Sequence, residues 1–337
     1  MTNPLVSVVC ITYNHEDYIK QCLDGFIMQQ TNFPFVVIVA DDCSTDKTRE
    51  IIEEYAEQYP DIIIPVFRTE NVGIEKNYIG AIKSCTTKYL AICDGDDYWI
   101  NPNKLQKQVD FMKAHPDYAI CFGKMKMVFE NSNKPSRILP LKMNKNPQSY
   151  RKLLLGGYIP SNTVMYRYEN LKNTVQNYPE NIYPWDWFNH ISAAAHGKIG
   201  FINELMSVYR RNEQGVSYTN AKDHEKELHK KYGIREMNFF YEVWQRVKDS
   251  YPEYYKEVFL PKLRDIYFTY LQMGDFAKLD ILKEKYSDYF KDMESSTGIA
   301  TKKHKKYKKM FTVSLIINIV LAVFLLGLSV LCFLKII

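Results

Sequence analysis

The chain has none of the glycine-rich phosphate loops that nucleotide-binding sheets commonly use. No G-x-G-x-x-G follows the first strand-like run, and no Walker-type Lys-Ser/Thr motif occurs. Dehydrogenase and P-loop kinase readings lose their main support. Cysteine is sparse too: Cys10, Cys22, Cys43, Cys85, Cys93, Cys121 and Cys332 are seven in all, an odd number without metal-type spacing. Several lie inside apolar runs, as small buried hydrophobes of a reducing compartment do. No internal repeat is visible. Met1-Thr2-Asn3-Pro4 runs straight into a core-like strand, which predicts no N-terminal signal.

Excess charge is scarce outside one run. The net charge of +5 owes most to the six lysines of Lys302-Lys303-His304-Lys305-Lys306-Tyr307-Lys308-Lys309. The rest is near neutral, so no nucleic-acid partner is implied. Charge is absent altogether from Met310 to Leu334. As a helix that stretch would span about 37 Å, enough to cross a bilayer with some tilt. With the basic run on its N-terminal side, it predicts a single-pass C-terminal anchor in the cell inner or plasma membrane, with the body in the cytoplasm.

What is present describes a globular protein. Hydrophobic residues make up 46% and charged residues 25% of 337 positions, enough for two domains or one large one. The first hundred residues alternate between buried-strand and helix signals. Val6 to Ile11, Phe35 to Ala40, Ile62 to Phe67 and Tyr89 to Cys93 read as strands; Tyr18 to Gln29, Lys47 to Tyr59 and Glu75 to Ser84 read as helices. This predicts an α/β fold, a Rossmann-like, mostly parallel sheet with helices on both faces. Ligands of such sheets bind beyond the carboxyl ends of the strands. Those ends carry Thr12-Tyr13-Asn14, Asp41-Asp42, Asn71 and Asp94-Gly95-Asp96-Asp97. From Ala221 to Asp292 the chain turns helical and aromatic. Packing accounts for those helices most simply; acceptor binding and dimerisation stay open, and so does a homo-oligomer.

Asp94-Gly95-Asp96-Asp97 follows the apolar run Tyr89 to Cys93. Three carboxylates at the end of a buried strand are costly unless a cation or hydrogen bonds offset them. Alternate side chains of an extended segment share a face, so Asp94 and Asp96 can converge. Hard divalent ions such as magnesium or manganese take oxygen ligands and keep phosphate oxygens in their shell. A metal site holding a pyrophosphate is the economical reading; an acidic helix-capping turn is the plainer one.

These residues carry a resemblance. Pro4-Leu5-Val6-Ser7-Val8-Val9 with Tyr13-Asn14, then Asp41-Asp42-Cys43-Ser44-Thr45-Asp46-Lys47-Thr48, then Asn71, Gly73 and Asn77, then Asp94-Gly95-Asp96-Asp97, are in that order similar to family 2 glycosyltransferases. The resemblance covers roughly residues 4 to 217. It implies a GT-A fold and an inverting enzyme that uses a nucleotide-diphosphate sugar and a divalent metal, Mg2+ or Mn2+. By position it places Ile11, Tyr13 and Asp42 at the nucleobase and Lys76 near the nucleotide. Asp94 falls toward the ribose and metal, with Asp96 as direct metal ligand. Asp97 is left between the metal shell and the acceptor. The catalytic base should be a later aspartate, and Asp186 in Tyr183-Pro184-Trp185-Asp186-Trp187-Phe188 fits. Flanking indoles would desolvate it in part and raise its basicity. Arg210 in Tyr209-Arg210-Arg211-Asn212-Glu213-Gln214-Gly215-Val216-Ser217 matches an arginine near the diphosphate, while Asn212 stands where the family often has His.

Ser161, in Pro160-Ser161-Asn162-Thr163, borders the expected acceptor pocket, and Trp99, Trp185 and Trp187 are candidates to stack on sugars. His15, His190 and His196 show no ligand spacing and read as bystanders. The family's processive synthases carry Gln-x-x-Arg-Trp, which is absent here, so one or a few sugars would be transferred. The expected acceptor is a lipid-linked or nascent surface glycan. The rival readings are a nucleotidyltransferase and an inactive, membrane-tethered scaffold that binds nucleotide-sugars. Expected domains are 1–220 for the transferase (1–101 nucleotide-sugar binding, 102–220 acceptor side) and 221–295 for a helical extension. Residues 296–309 would be a linker with a basic juxtamembrane segment, and 310–334 the transmembrane helix.

Overall fold

The computed structural model describes residues 3–130, 133–141, 143, 146–212 and 224–297. These fall into two compact units divided between residues 220 and 221.

The first unit opens with β1 (Val6–Thr12), α1 (Ile19–Ile27), β2 (Phe35–Asp41), α2 (Thr48–Gln58), β3 (Ile63–Phe67), α3 (Ile74–Lys83) and β4 (Tyr89–Ile92). It continues with β5 (Tyr98–Trp99), α4 (Lys104–Ala114), β6 (Tyr118–Phe129), β7 (Arg137–Leu139) and α5 (Tyr150–Leu155). A 3-10 turn (Ser161–Thr163) leads into β8 (Met165–Arg167), α6 (Glu169–Gln176), α7 (Trp185–Ala194) and β9 (Lys198–Arg211). Every residue of β1 is buried, as a strand covered on both faces requires. Val6, Val8 and Cys10 join Val37, Val39, Tyr89 and Ala91 in one core, closed by Ile19, Cys22, Leu23 and Phe26 of α1. That i, i+3, i+4, i+7 spacing is the apolar stripe of an amphipathic helix. The alternate residues Val9, Ile11, Ile38 and Ala40 are buried as well, and α3 packs on β1 and β2.

The strand order is β3-β2-β1-β4-β8-β6-β9-β5, with β7 added beside β6. β1 pairs in parallel with β2 and β4, and β2 with β3. Beyond β4 the expectation of a mostly parallel sheet is corrected. β8 runs antiparallel to β4 and β6, β6 and β9 are parallel again, and β5 and β7 are antiparallel to their neighbours. The reason is local: Met165 pairs with Ala91, so the chain enters β8 from the edge where β4 ends. The turn Ser161–Thr163 is thereby brought to the carboxyl edge of the parallel strands.

The second unit is helical: α8 (His224–Val247), a π-helical turn (Tyr255–Phe259), α9 (Leu260–Met273), α10 (Phe276–Lys285) and α11 (Ser287–Thr297). α9 packs against the other three helices, and rings of Tyr241, Tyr255, Phe259, Tyr286 and Tyr289 cluster with centroids 5.0 to 6.4 Å apart. The expected C-terminal transmembrane helix, and the single-pass membrane localisation drawn from it, are corrected here. No helix among the described residues is long and apolar enough to cross a membrane. Even the longest, α8, carries charge in its first and last turns. Residues 310–334, on which that expectation rested, lie outside the described residues, as does the linker from residue 298 onward.

Candidate functional site

In-register parallel strands end together. Thr12 pairs with Asp41, the Asp42 N–H donates to the Thr12 carbonyl at 3.0 Å, and the Gly95 N–H donates to the Ile11 carbonyl at 2.9 Å. A cleft of about 640 Å³ opens over these tips and is lined by Ile11, Tyr13, Asp42, Asp94, Asp96 and Asp97 together with Ser161, Trp185 and Asp186. Of the residues singled out by sequence, these nine meet at one place. Lys76, Trp99, Trp187 and Arg210 do not line it.

At the β1–β2 end of the cleft, the loop after β1 is laced to the loop after β2. Asn14 donates its N–H to Ser44 Oγ at 2.9 Å and accepts the Thr45 N–H at 2.8 Å. Ser44 also bonds Asp41, its N–H reaching Oδ2 at 3.0 Å. Ser44 therefore braces the strand tips rather than capping α2, whose first N–H is taken by Asp46 at 3.0 Å. Asp42 is buried. Its two oxygens each accept a backbone N–H at 2.9 Å, from Val72 and Gly73. Gly73 has φ +85°, a conformation that suits only glycine. Tyr13 stands 43% exposed over the cleft, whereas Lys76 is exposed on α3.

The acidic turn is tight. A Cβ on Gly95 would stand 2.7 Å from Thr12 Oγ1 and 3.1 Å from His15 Nδ1, so only glycine lets the turn approach β1. Burial pushes the Asp94 carboxyl up to about 8, with Asp96 and then Asp186 adding to the shift. Asp96 accepts the Asn212 amide at 3.3 Å. Asn212 is buried, and its Oδ1 has no partner among the described residues. The carboxylates of Asp94 and Asp96 both line the cleft and are hard-oxygen donors of the kind a divalent cation takes. No group of three or more His, Cys, Asp and Glu suited to a metal occurs among the described residues. An ion there would depend on ligand oxygens beyond the protein's own, as magnesium commonly does.

Asp97 behaves differently. It is buried, its Oδ1 accepts the Arg210 N–H at 2.9 Å and its Oδ2 the Asn162 amide at 2.9 Å. Burial, then Asp96 and Asp94, raise its proton affinity, and these two hydrogen bonds oppose the rise. Arg210 is buried behind the turn. It donates to the Asp96 carbonyl at 2.6 Å, bonds Gln21, pairs with Glu130 at 3.1 Å and lies 4.4 Å over the Tyr98 ring. Its guanidinium holds the turn from beneath.

Asp186 sits in the first turn of α7, a favourable place for a carboxylate. Ser161 Oγ donates to its Oδ2, and the Trp187 N–H to its Oδ1 at 2.8 Å. Trp185 lines the cleft beside Tyr183, ring edge to face at 5.4 Å. Trp187 turns away and donates its indole N–H to the Leu153 carbonyl at 2.8 Å. Trp99 is 1% exposed, bonded to the Asn162 carbonyl at 2.9 Å and packed edge to face on Phe26.

The cleft also holds residues to which the sequence reading gave no role of their own, among them His15, Tyr78 and Asn162. His15 lines the cleft, bonded to Thr12 at 3.1 Å; burial lowers its proton affinity against the pull of Asp96. Its signal was its place one residue beyond Tyr13-Asn14. Tyr78 is held by Asn189 at 2.7 Å, and burial, Asp186 and Asp94 make its hydroxyl harder to ionise. Asn162 bonds Asp97, and nothing in its local spacing announces that. Residues 213–217, the rest of the segment around Arg210, lie outside the described residues.

Residues 7–171 match the family described as Glycosyl transferase family 2. A protein of Mycobacterium tuberculosis, Rv1520, whose role is uncharacterised, is 39% identical over 221 residues, 66% of this chain and 63% of its own length. The chain thus spans under two thirds of the curated relatives it matches first. The putative teichuronic acid biosynthesis glycosyltransferase TuaG of Bacillus subtilis is 39% identical over 114 residues, 33% of this chain and 44% of its own. Among solved structures, residues 1–349 of S. aureus TarS in complex with UDP-GlcNAc superpose with a TM-score of 0.54 at 21% identity, covering 84% of this chain and 92% of that one. At that identity the likeness is one of fold.

Proposed function

We propose that this chain, which carries a family 2 glycosyltransferase domain, is an inverting transferase that moves a sugar from a nucleotide-diphosphate donor to a hydroxyl of a nascent surface glycan. One observation carries the reading: Asp94, Asp96 and Asp186 share a single cleft at the carboxyl edge of the parallel strands. The charges of Asp96 and Asp186 both raise the Asp94 carboxyl. TarS, of like fold, binds UDP-GlcNAc, and TuaG is named for teichuronic acid, which supports the donor and acceptor classes.

In this reading Asp42, with both oxygens fixed by Val72 and Gly73, offers its remaining lone pairs to the base, and Tyr13 covers it. A divalent cation held by Asp94 and Asp96 would neutralise the diphosphate as a leaving group. Asp186 accepts the proton of the acceptor hydroxyl. The acceptor oxygen then bonds to the anomeric carbon as that carbon's bond to phosphate breaks, the electron pair leaving with the diphosphate and the configuration inverting. Trp185 and Tyr183 offer flat faces to a sugar ring.

The test is a panel of UDP-, GDP- and CDP-sugars assayed for hydrolysis or transfer with and without Mg2+ or Mn2+, using wild type and Asp96→Ala. Metal-dependent turnover that is lost in Asp96→Ala is expected. No metal-dependent turnover or binding with any donor would refute the reading.

A further inference from the structure

We propose that Ser161 is the positioning residue of the Asp186 carboxylate, and that the turn it shares with Asn162 holds that carboxylate in register with the acidic turn. The proposal rests on the reading of Asp186 as base. Ser161 Oγ donates to Asp186 Oδ2 while the Trp187 N–H holds Oδ1 at 2.8 Å. Turning the carboxylate about its Cβ–Cγ bond would break both contacts, so its remaining lone pairs point in set directions. A serine hydroxyl has one proton to give, and here it is committed to Asp186. Ser161 therefore lines the cleft without offering that proton to a ligand.

The neighbouring residue explains why the hydroxyl stays in place. Asn162 is buried, and its polar groups have partners on three elements. Nδ2 donates to Asp97 Oδ2 at 2.9 Å and to the Val208 carbonyl at 3.3 Å, and Oδ1 accepts Ser207 Oγ at 2.8 Å. Its carbonyl accepts the Trp99 indole at 2.9 Å. Thr163 closes the turn on the Pro160 carbonyl, through N–H at 3.0 Å and Oγ1 at 2.8 Å. One side of the turn thus grips the acidic cluster through Asp97 and the other grips Asp186. Two successive residues set the span between the donor-side aspartates and the base, a span on which rate depends steeply.

The experiment uses the full chain, with Ser161→Ala, Ser161→Thr and Asp186→Asn compared on the nucleotide-sugar that wild type turns over in the panel. Ser161→Ala is expected to lower kcat about ten- to a hundredfold, the worth of a hydrogen bond to a charged group. Losing a donor disfavours the ionised carboxylate, so the acid limb of the kcat/KM profile should move to higher pH. UDP or GDP binding by calorimetry and acceptor KM should stay within about twofold, and Ser161→Thr should restore both rate and profile. The inference is overturned if Asp186→Asn is inactive yet Ser161→Ala keeps wild-type kcat and acid limb, or if nucleotide binding falls along with rate. Transfer surviving in Asp186→Asn would instead overturn the base reading, and this inference with it.

Discussion

Asp97 Oδ1 accepts the backbone N–H of Arg210 at 2.9 Å across 113 residues of sequence. The third carboxylate of the acidic turn is thus an internal strut, with Asn162 on its other oxygen. Asp97→Ala would leave two buried donors without an acceptor. It is expected to cost about 2–4 kcal/mol of stability, read by urea denaturation, with Asp97→Asn recovering part because one acceptor oxygen remains. A fully stable Asp97→Ala that has lost metal affinity would return Asp97 to the metal shell.

Trp99 and Trp185 should separate cleanly. Trp99→Phe gives up the hydrogen bond to Asn162 and is expected to lower stability by about 1 kcal/mol while leaving acceptor KM alone. Trp185→Ala, in the cleft, should raise acceptor KM several-fold with nucleotide binding unchanged. Saturation kinetics on both variants decide the assignment.

Lys104 is fully buried, its Nζ donating to Gln108 at 2.8 Å and lying 3.9 Å over the Trp99 ring. Burial lowers its pKa to about 7. Between that value and the ordinary lysine pKa, near 10.4, the unfolded chain binds the extra proton, so this group's contribution to stability rises with pH across that window. Lys104→Met removes the contribution. Its stability relative to wild type is expected to fall by about 2–4 kcal/mol between pH 7 and pH 10. Denaturant midpoints at the two pH values test this; a pH-independent difference would mean a lysine that keeps its charge.

Donor binding and proton removal should come apart at the two ends of the cleft. Asp186→Asn is expected to abolish transfer while calorimetry still finds nucleotide binding, because Asp42 and the β1 tip are untouched. Asp96→Ala should lose the Mg2+ or Mn2+ dependence of binding as well as turnover. Chelation of wild type with EDTA, then metal add-back, gives the reversible counterpart.

The strands were legible because burial on both faces leaves long apolar runs: Val6 to Ile11 and Tyr89 to Cys93 announce themselves. The polar strand tips followed, since parallel strands end on a common edge, and Asp42, Asp94 and Asp96 meet there. Roles decided by distant pairing were not legible. Arg210 has the same chemistry whether it faces a diphosphate or the back of a turn, and only the register of β9 against β6 decides. Trp99 likewise reads as a sugar platform until Phe26 and Lys104 close over it. Val164 to Arg167 is strand-like in sequence, but the direction in which the three residues of β8 run beside β4 and β6 was not legible. The anchor expectation failed for a related reason: hydropathy measures composition, and no described helix provides the span.

Asp97 has a consequence for how the protein comes into being. The acidic turn leaves the ribosome more than a hundred residues ahead of the β9 backbone that satisfies it, and the family match ends at residue 171, short of Asp186 and of that strand. A fragment ending there would hold the tips of β1, β2 and β4 yet expose a buried carboxylate with one of its partners missing. The acidic turn can therefore be finished only when the last strand of the sheet arrives.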